Sequence, residues 1–512
     1  MAERHLEIEQ KYDAAADYAV PDLSGLPGVA SVGPARVHEL HATYFDTADL
    51  RLAAHGITLR RRRGGEDAGW HLKLPVGPDS RNELRAPLGR SRVVPARLAS
   101  LVAAHTRGAP LEPVATLETR RTVVDLLDEG GRVLAEIADD LVTGTDLRAA
   151  TGVEFVPAEG ARTAPGVGAE PDRWREIEVE LGEGGGPDLL KSVGKKLRKA
   201  GAGRAAASSK LGRLLGGSIG PSPAGVRAAA IAQLEGEPTA GEAVTAYLAR
   251  QIGDIVEWDP KARLAEFDAV HKMRVATRRI RSALQSYKPL LDTGRTDPLK
   301  DELKWLADAL GEVRDLEVLR MRFTERLDGA AAPSWLEDLA RRERAAYRRL
   351  NAALKEPRYY ALLDALDALV ADPPLTGKAA GRPAAKALPG LVGKAWKRMV
   401  AKHDAIAEAD DRDAARHETR KAAKRARYAA DLAKPVLGGP AKAVSKEAKR
   451  VQTVLGEHQD GVIAMTHLRG ARARNVAEAF DLGVLYGEEK CRAEQARDRF
   501  EGVWESVSGP AW

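Results

Sequence analysis

A basic pattern occurs twice in the second half of this 512-residue chain. Residues 271–281 read HKMRVATRRIR and residues 417–427 read HETRKAAKRAR. In each copy a histidine is followed by arginine or lysine at offsets of 3, 7 and 10, which keeps the four side chains on one face of a helix. We name these segments the first and second basic stripes. Three fixed cations beside an imidazole form a surface suited to a polyanion.

Each basic stripe is followed by a second shared signature, LGEVRD at 310–315 and LGEHQD at 455–460. The second copy follows the first by 146 residues at the histidine and by 145 at the Leu-Gly pair. A repeat of this kind predicts one duplicated helical unit. We expect the Leu-Gly pairs to mark close helix packing, and Asp315 and Asp460 either to orient a stripe arginine or to cap a helix.

The first 180 residues carry acids and bases at spacing two on segments that alternate like strands. The segment LEIEQK places Glu7, Glu9 and Lys11 on one face, and EIEVEL does the same for its three glutamates. A single strand of this type is commonly a solvated outer face. Because the acids recur at 7/9, 136/140 and 176/178, we favour a closed barrel with a polar lumen. Such a lumen can hold a phosphate chain and a divalent metal together.

Composition limits the class of protein and divides the chain. The 80 basic and 74 acidic residues nearly balance, so local patches matter more than the net charge of +6. The single cysteine excludes an intrachain disulfide, and no apolar segment approaches the roughly 20 residues of a membrane span, so we expect a cytoplasmic protein. We predict an α+β multidomain chain with a barrel domain at 1–217, a Gly/Pro-rich linker at 218–226 and an all-α domain at 227–509. A Pro/Gly/Ala-rich loop at 372–393 should separate its halves, 227–371 and 394–509.

The N-terminal motifs LEIEQK, TLRRR, HLKL, RNELR, AEIADD, EIEVEL and SSKLGR resemble a CYTH domain of the triphosphate tunnel metalloenzyme family over residues 3–216. The resemblance implies an eight-stranded antiparallel barrel with flanking helices that hydrolyses tripolyphosphate or a related triphosphate. It implies catalytic roles for Glu7, Glu9, Lys11 and Glu178. It implies a site for Mg²⁺ or Mn²⁺ formed by Glu7, Glu9, Glu136, Asp140, Glu176 and Glu178. It implies phosphate binding by Lys11, Arg60, Arg62, Lys73, Arg120 or Arg121, and Lys210; a slip of one residue decides between the two adjacent arginines.

Residues from about 225 to 509 resemble a CHAD domain, an all-α pseudo-twofold pair of helical bundles that binds inorganic polyphosphate and is often fused to a CYTH domain. The implied polyphosphate-binding residues are His271, Arg274, Arg278, Arg279 and Arg281, and then His417, Arg420, Lys424, Arg425 and Arg427. Lys424 stands where the first copy has Arg278, which keeps the charge but not the bidentate geometry.

Together these expectations describe a metal-dependent triphosphatase that processes polyphosphate. The alternative is a non-catalytic polyphosphate-binding scaffold associated with polyphosphate granules. Nucleic acid is the rival polyanion, but the sequence has no helix-turn-helix, zinc-finger or RNA-binding signature. Nonspecific binding to a nucleic-acid backbone stays open. Cyclisation of ATP is the weaker expectation, because no base-recognition feature is visible.

Overall fold

A computed structural model describes residues 4–77, 79–148, 171–327, 332–510 and 512. The chain divides into two compact units, 1–222 and 223–512, which are described separately. Among the described residues, no helix combines the length and the apolar content that a membrane crossing requires.

The first unit is a closed antiparallel barrel, as predicted. Eight long strands of the described chain form the ring β1-β6-β5-β4-β3-β7-β8-β9, and pairing of β1 with β9 closes it. The long strands are β1 (Arg4–Ala14), β3 (Arg36–Asp46), β4 (Thr58–Arg63), β5 (Gly69–Gly77), β6 (Ser80–Pro87), β7 (Glu112–Leu127), β8 (Val133–Asp146) and β9 (Asp172–Leu181). The two-residue strands β2 (Ser31–Val32) and β10 (Gly203–Arg204) pair with β7 and β1.

Helices cover the outside of this barrel and one end of its lumen. The helices of the unit are α1 (Arg51–Ala54), α2 (Ala96–Thr106), α3 (Pro187–Lys199) and α4 (Lys210–Leu215). Helix α3 packs Leu190, Val193 and Leu197 against outward-facing apolar residues of β1, β8 and β9. Helix α4 instead packs Leu211 and Leu215 among inward-facing apolar side chains of β7, β8 and β9. Burial of these two leucines places Lys210, the first residue of α4, at the charged part of the lumen.

The second unit is all helical and duplicated, as predicted. Its helices are α5 (Pro223–Ala232), α6 (Ala240–Arg263), α7 (Ala269–Ser286), α8 (Thr293–Thr324), α9 (Ser334–Ala353), α10 (Pro357–Ala371), α11 (Gly377–Ala380), α12 (Ala384–Asp404), α13 (Arg412–Leu437), α14 (Gly439–Gly470) and α15 (Val476–Glu505). Consecutive helices pack together from α6 to α9 and again from α12 to α15, and α7 packs on α13. The two basic stripes lie on α7 and α13, so this contact brings them together.

Part of the stretch that we predicted as a loop, 372–393, is helical. Helix α12 begins at Ala384, directly after Pro383. Proline fits the start of a helix because its missing N–H has no helical partner there. Alanine is the strongest helix former, so an Ala-rich stretch that looks like a linker by composition continues as helix once it is packed.

Candidate functional site

The lumen of the barrel contains a cavity of about 400 Å³ with charged walls. Alternation along each strand turns one set of side chains inward, and in this barrel the inward set is the charged one. The cavity is lined by, among others, Glu7, Glu9, Lys11, Arg60, Arg62, Lys73, Arg81, Glu83, Arg121, Glu136, Glu178, Glu180 and Lys210. The structure therefore brings most of the predicted barrel residues into one space.

Deep in the lumen, three carboxylates surround one ammonium group. Oxygens of Asp140, Glu176 and Glu178 lie within 4.8 Å of one another, a grouping that can hold a metal ion. In this structure Lys210 Nζ lies 2.8 Å, 2.6 Å and 2.7 Å from these three residues in turn. Burial raises the pKa of Glu178, but Lys11, Lys210 and Arg121 more than offset this and hold it well below its usual value. The deep cluster is thus internally paired, and Glu178 in it is ionised.

A second group of carboxylates also lines the lumen, and its central member, Glu180, has no ion pair with a base among the described residues. Glu9 and Glu136 both pair across strands with Glu180, so the three acids stand abreast on β1, β9 and β8. Burial, and next the charge of Glu7, raise the pKa of Glu180 to about 7. Burial raises the pKa of Glu9, but Lys11 and Lys73 lower it to about 2. Glu9 also pairs with Lys11 and Arg81, so the repulsion within this row falls on Glu180. We name Glu9, Glu136 and Glu180 the acidic row.

The acidic row fits a hard divalent cation, because Mg²⁺ and Mn²⁺ take carboxylate oxygens and a cation would offset the mutual repulsion of the acids. Glu7 adjoins the row, and burial raises its pKa although Lys73 Nζ lies 2.5 Å from Oε2. We did not assign Glu180 from the sequence. The alternation of EIEVEL, which puts its three glutamates on one face, is the signal that identifies it.

Cations gather on another part of the wall. Burial, and next the charges of Arg60 and Arg121, lower the pKa of Arg62 to about 9. The buried Nε atoms of Arg60 and Arg62 have no hydrogen-bond partner among the described residues. Arg62 pairs with Asp67, and Arg60 Nη1 donates to Tyr44 Oη at 3.4 Å. The two guanidinium groups nevertheless repel one another and keep unpartnered Nε donors, which favours an anion with several oxygens, such as a phosphate chain.

The register of β7 decides between the two adjacent arginines. Arg121 pairs across strands with Asp140 and holds both carboxylate oxygens, at 2.8 Å and 2.7 Å. Arg120 points outward with 64% of its side chain exposed and lies 3.8 Å from Glu39. Our assignment of Arg120 to the tunnel is therefore corrected, because successive residues of a strand face opposite sides.

In the second unit, equivalent arginines of the two basic stripes rest on equivalent glycines. A Cβ atom at Gly311 would lie 3.2 Å from Arg274 Nη2, and one at Gly456 would lie 3.5 Å from Arg420 Nε. The Leu-Gly pairs thus leave room for a stripe arginine. Asp315 lies 3.9 Å from Arg274. Asp315 and Asp460 lie inside α8 and α14, so they are not helix caps.

Four stripe residues form a cluster at the contact of α7 with α13. Burial, and next the charges of Arg278, Arg420 and Arg274, lower the pKa of Lys424 to about 6. The buried Nε atoms of Arg274 and Arg420 have no hydrogen-bond partner in the described chain. We name Arg274, Arg278, Arg420 and Lys424 the central basic cluster. Its crowding of like charges costs stability in the absence of an anion.

The other predicted stripe residues lie around this cluster. His271 is half-buried, and burial and then Arg314 lower its pKa. His417 Nδ1 lies 3.0 Å from Gln459 Oε1. Arg279 and Arg427 lie over the ring of Tyr428, at 5.7 Å and 5.6 Å from its centroid. Arg281 and Arg425 line a neighbouring cleft with two cations of α12 that we did not predict, Arg398 and Lys402.

Comparisons with known proteins agree with this architecture. A family model of the CYTH domain matches residues 5–212, and one of the CHAD domain matches 246–469. The uncharacterized protein Rv2226 of Mycobacterium tuberculosis is 38% identical over 98% of this chain and 96% of its own length. PptA from Streptomyces chartreusis is 24% identical over 52% of this chain and all of its own, with a TM-score of 0.44. The CHAD domain from the plant Ricinus communis is 26% identical over 54% of this chain and 94% of its own, with a TM-score of 0.42. The chain therefore belongs to the proteins in which a CYTH domain is followed by a CHAD domain.

Proposed function

We propose that the barrel is a metal-dependent triphosphatase that hydrolyses tripolyphosphate or a related triphosphate, and that the helical unit binds inorganic polyphosphate. The observation that carries the first part is the lumen itself. One cavity of about 400 Å³ contains Glu180, whose pKa is raised to about 7 by burial and by Glu7, and Arg60 and Arg62, whose buried Nε donors have no hydrogen-bond partner among the described residues. A divalent metal would offset the repulsion among the acids, and a phosphate chain would supply acceptors to the arginines.

In this proposal the bases of the lumen bind phosphate and the acids bind the metal. Arg60, Arg62 and Lys73 bind phosphate oxygens and orient the chain, and their charge stabilises the negative charge of the transition state. Glu7, Glu9, Glu136 and Glu180 would hold Mg²⁺ or Mn²⁺. A metal bound there supplies Lewis-acid polarisation of a phosphoryl oxygen or of water.

Polyphosphate binding by the helical unit is supported by the central basic cluster. Three arginines and Lys424 converge there, and two of the arginines have buried Nε donors without a partner in the described chain. A chain of phosphates offers closely spaced charged acceptors to all four at once.

Phosphate release by the intact protein tests the catalytic proposal. Tripolyphosphate, ATP and long-chain polyphosphate are each incubated with Mg²⁺, with Mn²⁺ and with a chelator. We expect metal-dependent release with tripolyphosphate preferred, and no release with chelator. Formation of cyclic AMP without phosphate release from tripolyphosphate would replace the proposal by a cyclase.

The alternative, a non-catalytic polyphosphate-binding scaffold, is favoured by one observation. The deep cluster is already neutralised by Lys210 and Arg121, so these carboxylates need no metal for charge balance. Tight polyphosphate binding without release from any of the three substrates would support the scaffold and contradict the triphosphatase.

The pKa of Lys424 makes polyphosphate binding depend on pH. A value of about 6 leaves this side chain mostly neutral in the free protein at pH 8, whereas a bound polyanion restores the charged form. Because the bound state has the higher pKa, affinity should rise as pH falls from 8 to 6, by up to about tenfold per unit. Titration calorimetry in buffers of different ionisation enthalpy should show proton uptake at pH 8.

The control for this prediction is Lys424→Arg, which stays charged throughout this range. It should bind with less proton uptake than wild type at pH 8 and with a flatter pH profile. Equal proton uptake in both proteins would assign the effect to another group, such as His271, whose pKa burial lowers in the free protein.

A further inference from the structure

A cleft of about 360 Å³ adjoins the central basic cluster and is formed by α7, α12 and α13. Of the described residues that line it, seven are arginine or lysine, namely Arg278, Arg281, Arg398, Lys402, Lys421, Lys424 and Arg425, and one, Glu418, is an acid. Glu418 is already paired with Lys421. In the described parts of the chain, Arg281, Arg398, Lys402 and Arg425 form no ion pair with a carboxylate. We name this space the α12 cleft.

Among the described residues, the corresponding side of the first half of the duplication differs from the α12 cleft in charge. The duplication makes Arg279 of α7 the counterpart of Arg425 of α13. Arg279 Nη1 lies 3.3 Å from Gln251 Oε1, and its charge also acts on Asp254, both residues of α6. Arg425 instead faces a cation, because burial and next the charge of Arg398 lower its pKa. The side of α6 thus supplies an amide and an acid where α12 supplies bases.

The cleft and the central basic cluster form one continuous surface, since Arg278 and Lys424 belong to both. A linear polyanion held in the cluster meets further cations toward α12, whereas Asp254 repels it on the side of α6. The aromatic residue of the cleft, Tyr428, is 7% exposed and carries Arg279 and Arg427 against its ring. It therefore offers no free face on which a nucleobase could stack.

We propose that α12 supplies a second anchoring station for inorganic polyphosphate, with Arg398 and Lys402 as its principal ligands, so that a bound long chain runs from the central basic cluster toward α12 and not toward α6. This inference rests on the proposed binding of polyphosphate by the helical unit. It assigns ligands to a helix outside both basic stripes and gives the bound chain one direction.

The test is the binding of long-chain polyphosphate to the full-length protein, measured over a series of salt concentrations. Arg398→Glu/Lys402→Glu should weaken binding at least about tenfold. The slope of log affinity against log salt concentration should become shallower by roughly two, one for each lost phosphate contact. The affinity of the milder variant Arg398→Gln/Lys402→Gln should lie between those of the charge-reversed variant and wild type. Lys386→Glu/Lys397→Glu is the matched control, because both lysines are exposed on α12 and outside the cleft. Circular dichroism and melting temperature confirm that each variant is folded.

Each outcome separates this inference from the proposal on which it rests. If wild type does not bind polyphosphate, the proposed function of the helical unit fails. If wild type binds and the α12 variants bind equally well, or weaken no more than the lysine control, the second station is excluded. Single-stranded DNA, at equal phosphate concentration, is tested as a competitor. If it displaces polyphosphate from wild type, and if the α12 variants lose as much affinity for DNA as for polyphosphate, the ligand is nucleic acid and the assignment to polyphosphate is overturned.

Discussion

Replacing Glu9 by glutamine is expected to lower metal-dependent phosphate release from tripolyphosphate by at least about a hundredfold. Glu9 is 7% exposed and stands in the acidic row beside Glu180. Lys11 and Lys73 hold its pKa at about 2 against the opposing effect of burial, so it is ionised at neutral pH. Glutamine keeps the shape of the side chain but removes the charge that a divalent cation requires. The loss should therefore appear as a lost response to Mg²⁺ or Mn²⁺.

The matched control for this variant is Glu118→Gln. Glu118 lies on the outer face of the barrel with 70% of its side chain exposed. The Glu118→Gln variant makes the same chemical change on a strand of the same barrel, so its rate of phosphate release should equal that of wild type. A Glu9→Gln protein that is folded and keeps the wild-type rate and metal requirement would exclude the acidic row as the metal site.

Charge reversal at Arg274 and Arg420 is expected to weaken polyphosphate binding on the order of a thousandfold, since two charge-assisted contacts are lost and two repulsive ones are added. The fold should tolerate the change. Two carboxylates among Arg278 and Lys424 relieve like-charge repulsion, so the melting temperature should be kept or raised. Loss of binding with unchanged or higher stability is a signature that unfolding cannot produce.

Binding of the Arg274→Glu/Arg420→Glu protein is compared with that of Lys272→Glu/Lys434→Glu by titration at constant ionic strength. Lys272 and Lys434 lie on the same two helices, pair with nearby aspartates and stand outside the central basic cluster. The lysine control changes net charge equally, so any general electrostatic effect appears in both proteins. Similar affinities in the two double variants would contradict a dedicated site at the cluster.

The periodicity of the sequence predicted the architecture and most of the charged lumen. Period-two charge on segments such as LEIEQK and EIEVEL is a local property, and the barrel follows from it. Which of Arg120 and Arg121 faces the tunnel could not be read from the local sequence, because it depends on the pairing of Arg121 with Asp140 on β8. Glu180 was visible in the same alternation and was left unassigned.

Only part of the site in the helical unit could be predicted from sequence patterns. The basic stripes were visible because they repeat, and their repeat predicted a duplicated helical unit. Their contact across α7 and α13 became apparent only in the structure. Arg398 and Lys402 stand in a helix with no repeated signature, and their role follows only from the packing of α12 on α7 and α13. Composition also misled at 384–393, where alanine and proline belong to the start of a helix.

Hydrolysis in the barrel and polyphosphate binding by the helical unit should be separable on one chain. Phosphate release from tripolyphosphate and binding of long-chain polyphosphate are measured on the same preparations of wild type, Glu9→Gln and Arg274→Glu/Arg420→Glu. We expect Glu9→Gln to lose release and keep binding, and the double variant to lose binding and keep release. Loss of both activities in either folded variant, or release that survives in Glu9→Gln, would contradict the assignment of hydrolysis to the barrel and of polyphosphate binding to the helices.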